Sequence, residues 1–398
     1  MMILRYSLLT LAVATWLSAM FIGCTGENRQ ERTPTLPEDD ITKLAALPTE
    51  VPTPADNPPS PQKIALGRLL FFDPILSGHK DVACATCHHP EFGFAESLEI
   101  SIGVNGRGMG SKRDFVTPIG DIPFVKRNSQ TILNAAFNGL TLNGSADAAH
   151  APMFWDLRVK SLENQSLEPI KSFEEMRGHR YATEVALDSV VNRLKKIAEY
   201  SRLFQEAFTA SDAINSQNLA RAIAAYERTL VGGNSRFDQY MRGDRNALSV
   251  NEIDGMQVFL KSGCAKCHNG PMLSDYKVHA LGVPDNEKLL KSDAGVDNQY
   301  KFRTPSLRNL RFTGPYMHSG KLKTLEQVLE FYEDLAGDKI RNPLVGKEHI
   351  DPIIETLKVD FKDISLIVEF LNTLNDDQFD KTIPKRVPSG LPVGGNLN

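Results

Sequence analysis

Apolar residues recur at helical spacing through most of the chain. Val190, Val191, Leu194, Ile197, Leu203 and Phe204 form one long amphipathic stretch. Leu219, Ile223, Tyr226 and Leu230 form a second, and Ile364, Ile367, Val368 and Leu371 a third. Ser249-Val-Asn-Glu252 is a capping box ahead of Met256, Phe259 and Leu260. Its serine and glutamate can each satisfy an orphan amide at a helix start. Thr324-Leu-Glu-Gln327 repeats the device before Val328, Leu329 and Tyr332. Strand signals are few, and Gly- and Pro-rich loops at 103–123 and 269–295 separate the helices. The pattern predicts an all-α fold.

The first apolar run differs in kind. Leu8 to Ile22 is almost wholly apolar behind one charge, Arg5, and at roughly 15 residues is shorter than the ~20 of a membrane span. Residues 1–23 read as an export signal. The run closes on Phe21-Ile22-Gly23-Cys24, which resembles a bacterial lipobox whose cysteine becomes lipidated. The expected location is the periplasm, with membrane contact only through Cys24. Residues 24–60 carry a succession of prolines, among them Pro48, Pro52, Pro54 and Pro58, and predict an extended tether with little capacity to pack.

Cysteine usage carries the chemistry. Of five cysteines, four lie in Cys84-Ala-Thr-Cys87-His88 and Cys264-Ala-Lys-Cys267-His268, and the fifth is Cys24. Each motif is the C-x-x-C-H signature of c-type haem attachment. Two thiols one helical turn apart add across the porphyrin vinyl groups, and the histidine becomes the proximal iron ligand. A zinc ribbon would set its two cysteine pairs only ~15–20 residues apart, and a thioredoxin-like motif would be single. Two covalently bound haem c groups are therefore expected, each wrapped by a cytochrome c-like α domain with few or no strands. The first domain spans 61–240 and the second 241–385, followed by a flexible tail, 386–398. The formal net charge is −4 with no basic patch, which argues against a nucleic-acid partner.

Beyond the haem motifs, a set of landmarks resembles the bacterial di-haem peroxidase superfamily, which contains di-haem cytochrome c peroxidases and MauG-like enzymes. They are Leu66-Gly67, Leu70-Phe71-Phe72-Asp73, Arg127-Asn128, Met153-Phe154-Trp155-Asp156, and Gln165, Pro169 and Glu175-Met176. Arg303-Thr-Pro-Ser-Leu-Arg-Asn309 and Thr313-Gly-Pro315-Tyr316-Met317-His318-Ser-Gly320 complete the set. The resemblance implies an enzyme with hydrogen peroxide as substrate, a peroxidatic first haem and an electron-transfer second haem. It makes Glu175 the distal acid–base residue, with Gln165 beside it, and Trp155 the relay between the haems. It also implies one calcium ion between the domains, bound by Asn128 and the carbonyls of Thr313 and Pro315. Oxygen-only donors suit that ion. Peroxidases of this superfamily are often homodimers.

Two positions bear on the branch. Cytochrome c-oxidising members usually carry a histidine upstream of the Arg-Asn pair that caps the first iron. This chain has no histidine between His89 and His150. Those members also place methionine on the second iron, eight residues after the threonine of a Thr-Leu pair. Here Tyr332 stands there, as in MauG-like enzymes. A phenolate favours oxidised iron where a thioether favours ferrous iron. The resemblance thus implies a MauG-like peroxidase that forms high-valent haem iron and oxidises a periplasmic protein partner or redox carrier. A conventional cytochrome c peroxidase and a non-catalytic electron-transfer cytochrome are the alternatives. One departure concerns electron entry: MauG has a tryptophan two residues before its second haem motif, and this chain has Ser262.

Overall fold

The computed structural model describes residues 43–117 and 121–398. The export signal and Cys24 lie outside the described residues. Helix α1, Pro61–Phe72, starts where Ser60 accepts a hydrogen bond from the Lys63 amide and Pro61 occupies the first turn. It leads into α2, Cys84–Cys87, the turn that carries the first haem motif. Two single-turn helices follow, α3 (Leu162–Gln165) and α4 (Glu168–Lys171). Helices α5 (Ala186–Leu194), α6 (Ala198–Ala207) and α7 (Ser216–Glu227) then close round α1. After α8, Arg236–Met241, the predicted capping box opens α9, Val250–Lys261, which runs into the second haem motif. Helices α10 (Leu325–Ala336) and α11 (Ile364–Asn372) finish that half. Among the described residues the strands form three short antiparallel pairs: β1, Gly106–Arg107, with β2, Asp114–Phe115; β3, Pro152–Met153, with β4, Val159–Lys160; and, longest, β5, Val278–Ala280, with β6, Lys301–Arg303. The fold is mostly helical with a few short strands.

The helix before each haem motif crosses another helix at a glycine. A Cβ on Gly67 of α1 would lie 1.9 Å from the Ala222 carbonyl oxygen of α7, and one on Gly255 of α9 would lie 2.0 Å from that of Leu366 on α11. Backbone meets backbone at both crossings, so no side chain fits. We expect Gly67→Ala to lower stability by about 1–3 kcal/mol, read as a drop in Tm, because rigid backbone must move apart. The apolar interior gathers into separate clusters, one built on α1, α5, α6 and α7, another on α8, α9 and α11.

Two segments depart from expectation. Residues 43–60 are packed, not a free tether. Leu44 and Leu47 are buried, the Leu47 amide donates to Asp238 Oδ1 at 2.9 Å, and the Gly270 amide donates to the Lys43 carbonyl at 2.8 Å. Residues 386–398 are likewise no flexible tail. Val387 is buried, Ser389 Oγ donates to Asp73 Oδ1 at 2.6 Å, and Thr86 of the first haem motif donates to the Gly394 carbonyl at 2.7 Å. In both cases a few apolar side chains find a groove, and buried polar partners complete the fit. Among the described residues no helix is long and apolar enough to cross a membrane.

Candidate functional site

Both haem motifs open into one cavity of about 750 Å³. In each, the histidine amide donates to the carbonyl of the first cysteine at 2.9 Å, a turn that sets the thiols and imidazole along one wall. Burial pushes the thiols of Cys84 and Cys264 up to about 12, and that of Cys87 upward as well. The thiols are therefore protonated and unreactive as metal-binding thiolates. His88 Nδ1 lies 3.1 Å from the Phe94 carbonyl oxygen and His268 Nδ1 lies 3.0 Å from that of Leu273. Each Nδ1–H donates to its carbonyl, so each Nε2 lone pair is left for the cavity. Burial lowers the pKa of both rings and keeps them neutral. A neutral imidazole oriented by a carbonyl is what a haem iron requires on its proximal side. The donor sets fit two c-type haems.

Gln165 and Glu175 line the same cavity as His88. Gln165 ends α3, whose start is capped by Ser161. Glu175 sits in a wide π-type turn, Phe173–Arg177, where the amides of Met176 and Arg177 both donate to the Ser172 carbonyl, at 3.3 and 2.9 Å. Gly103 makes room for that turn: a Cβ there would meet the Glu174 carbonyl oxygen at 2.2 Å. Burial raises the Glu175 carboxyl to about 7, against the pull of Arg158. It can therefore hold or release a proton near neutrality. His150 is exposed and paired with Asp147 at 2.7 Å, away from the cavity wall.

Trp155 lines the same cavity. Its indole N–H donates to the Asn128 carbonyl at 3.0 Å, and its ring meets His318 edge-on, with centroids 6.4 Å apart. Asn128 Nδ2 donates to the carbonyls of Leu98 and Glu99 at 2.8 and 3.2 Å. The side-chain oxygen of Asn128 remains as its donor to a cation, and Thr313 and Pro315 line the same cavity. Tyr332, on α10, shares the cavity with His268. Burial, with Cys267 and Cys264 nearby, holds its phenol above the ordinary tyrosine value.

Several wall residues carry no assignment from sequence. His318 is stacked on Phe302 at 3.4 Å, and burial pushes it down to about 3, so its ring is neutral. His279 pairs with Asp275 at 3.2 Å and Asp351 at 2.7 Å, which holds it well above the usual imidazole range. Cys267, Asp275 and His279 bring ligand atoms within 4.8 Å of one another. That thiol belongs to the haem motif, so the trio is not a separate metal centre. Glu227 is buried beside Cys84, and burial raises it to about 8. Arg127 bridges Asp156 and Asp293 at 2.7 and 2.5 Å. His318 and Arg127 lie inside motifs already singled out. Nothing in the sequence marks Glu227, which is buried near Cys84, or His279, whose partner Asp351 lies 72 residues away.

A family model described as di-haem cytochrome c peroxidase matches residues 61–246. The chain is 33% identical over 356 residues to the methylamine utilization protein MauG of Methylorubrum extorquens, which spans 87% of this chain and 89% of that protein. It is 34% identical over 313 residues to the cytochrome c551 peroxidase of Pseudomonas aeruginosa, over 74% of this chain and 80% of that one. Among solved structures, a MauG-like protein associated with microbial copper homeostasis aligns with a TM-score of 0.66 and 27% identity, covering 83% of this chain and 95% of that one.

Proposed function

The chain belongs to the di-haem cytochrome c peroxidase family and is a haem peroxidase, and from that premise we propose that it works in the MauG-like manner. Bound in the cavity, two c-type haems supply the two-electron reduction of hydrogen peroxide and hold the oxidising equivalents. Glu175 would take a proton from bound hydrogen peroxide and return it to the departing oxygen, so that water leaves as the O–O bond breaks. Gln165 orients the peroxide with its amide. Trp155, its N–H held by the Asn128 carbonyl, would offer an oxidisable ring through which electrons could pass. Tyr332 would hold the second haem together with His268, and its phenol oxygen would favour oxidised iron there. The electrons are then drawn from a protein partner, either from a side chain that becomes modified or from a small redox carrier.

Asn128, Thr313 and Pro315 would hold a calcium ion through oxygen donors, and elemental analysis for calcium in the purified protein checks this. The export signal and Cys24 put the enzyme in the periplasm on a lipid anchor, which mass spectrometry of the mature N-terminus checks.

The observation that carries this reading is Glu175, which lines the same cavity as Gln165 and His88 and is raised to about 7 by burial. The test is stoichiometric peroxide added to the diferric protein. Spectral change at both haems supports the reading; an inert diferric protein overturns it. Trp155→Phe is expected to keep the change at the first haem and slow that at the second at least tenfold. A second reading, a conventional peroxidase, has the likeness to cytochrome c551 peroxidase in its favour. It predicts turnover with reduced cytochrome c only after one haem is reduced. EPR separates the two: the MauG-like reading requires a five-coordinate, high-spin first haem.

A further inference from the structure

Arg303 is an anomaly of the cavity wall. The residue is 6% exposed, its Nε has no hydrogen-bond partner, and its guanidinium makes no ion pair among the described residues. The other cations of the wall are matched. Lys126 pairs with Asp293 at 3.0 Å, Arg127 with Asp156 and Asp293, and Arg158 with Asp156 at 2.8 Å. Lys171 pairs with Glu168 at 2.6 Å and Arg308 with Asp238 at 2.9 Å. The one ring near Arg303 is Tyr276, with the guanidinium 5.6 Å from its centroid. Burial raises that phenol, so it is uncharged. A buried cation without a counter-ion is costly enough that its partner must come from whatever fills the space it faces.

The contents of the cavity bring carboxylates of their own, since every haem c carries two propionates. The backbone indicates which haem is concerned. Arg303 ends β6 and is followed by Thr304 and Pro305, whose carbonyl faces the His268 ring. Its partner across the hairpin is Val278 of β5. On its other side, its amide donates to the Trp155 carbonyl at 2.7 Å.

We propose that Arg303 is the counter-ion of a propionate of the second haem, the one held by Cys264, Cys267 and His268. Through its own amide it ties that carboxylate edge to the backbone of Trp155. The inference needs only the two haems of the family and is independent of the MauG-like reading. Arg303 is a positioning residue: it fixes where the porphyrin lies relative to Trp155, and its charge favours the ferrous over the ferric second haem.

The test is a spectroelectrochemical titration of the di-haem protein carrying Arg303→Met or Arg303→Lys. Arg303→Met is expected to shift the ferric-to-ferrous ratio of the second haem at fixed potential by about tenfold or more toward ferric. Arg303→Lys is expected to restore most of that ratio, and the first haem should hardly move. No change at either haem, or a change confined to the first, overturns the assignment. Should Arg303→Met not retain its second haem, Arg303→Lys decides by resonance Raman. A shifted propionate bending mode of the second haem supports the contact, and an unshifted one overturns it.

Discussion

Glu175→Gln is expected to slow the reaction of the diferric protein with hydrogen peroxide by about a hundredfold or more, the usual loss when a positioned acid–base group is removed. Stopped-flow absorbance measures it directly. The amide keeps the shape and hydrogen-bonding reach of the side chain but cannot accept the peroxide proton. In the parent protein the carboxyl is raised to about 7, mainly by burial. Because the carboxylate must receive the first proton, the rate should rise with pH through about 7 and level off above it. Glu175→Gln should flatten that profile as well as lower it. An unchanged rate would remove Glu175 from the chemistry.

The same shift has a consequence for folding, with a definite sign. A carboxyl raised from 4.5 to about 7 binds its proton more tightly in the folded chain. Its stabilising contribution is complete below the unfolded value and is lost as pH rises through the folded one. The parent should therefore lose stability between about 4.5 and 7 that Glu175→Gln does not lose. A site that is more stable without its acid is one tuned for reaction.

Tyr332→Met is expected to have the second large effect. A thioether opposite His268 favours ferrous iron. The midpoint of the second haem should rise by a sizeable part of the roughly 0.8 V over which axial ligands tune haem potentials. The variant should also hold its oxidising equivalents for a shorter time after peroxide and accept electrons more readily from reduced cytochrome c. Potentiometry and EPR both report the change. If the parent and the variant have equal midpoints, Tyr332 is a half-buried aromatic of α10 and no ligand.

Much of this was legible without coordinates. Helical spacing marked α7, α9, α10 and α11, because one-sided burial imposes a 3.6-residue period on sequence. The two C-x-x-C-H motifs were legible for a covalent reason: thiol spacing must match the porphyrin within a single turn. The single-turn helices α3 and α4 and the wide turn under Glu175 left no periodic signal, since each is too short to have a period. The role of 43–60 was hidden because proline-rich composition describes the free chain, while Leu44 and Leu47 are held by grooves formed elsewhere. The tail 386–398 misled in the same way, through its glycines and prolines.

By itself the sequence determined two C-x-x-C-H motifs of the kind that attach haem, the longer helices and the side chains that could serve peroxide chemistry. Only the tertiary structure decided the charge states and the unmet partners. Glu175 reaches about 7 and His318 falls to about 3 because distant segments exclude water from them. Arg303 is buried with no ion-pair partner among the described residues. Desolvation and ion pairing are properties of neighbours in space, and spacing along a chain does not encode them.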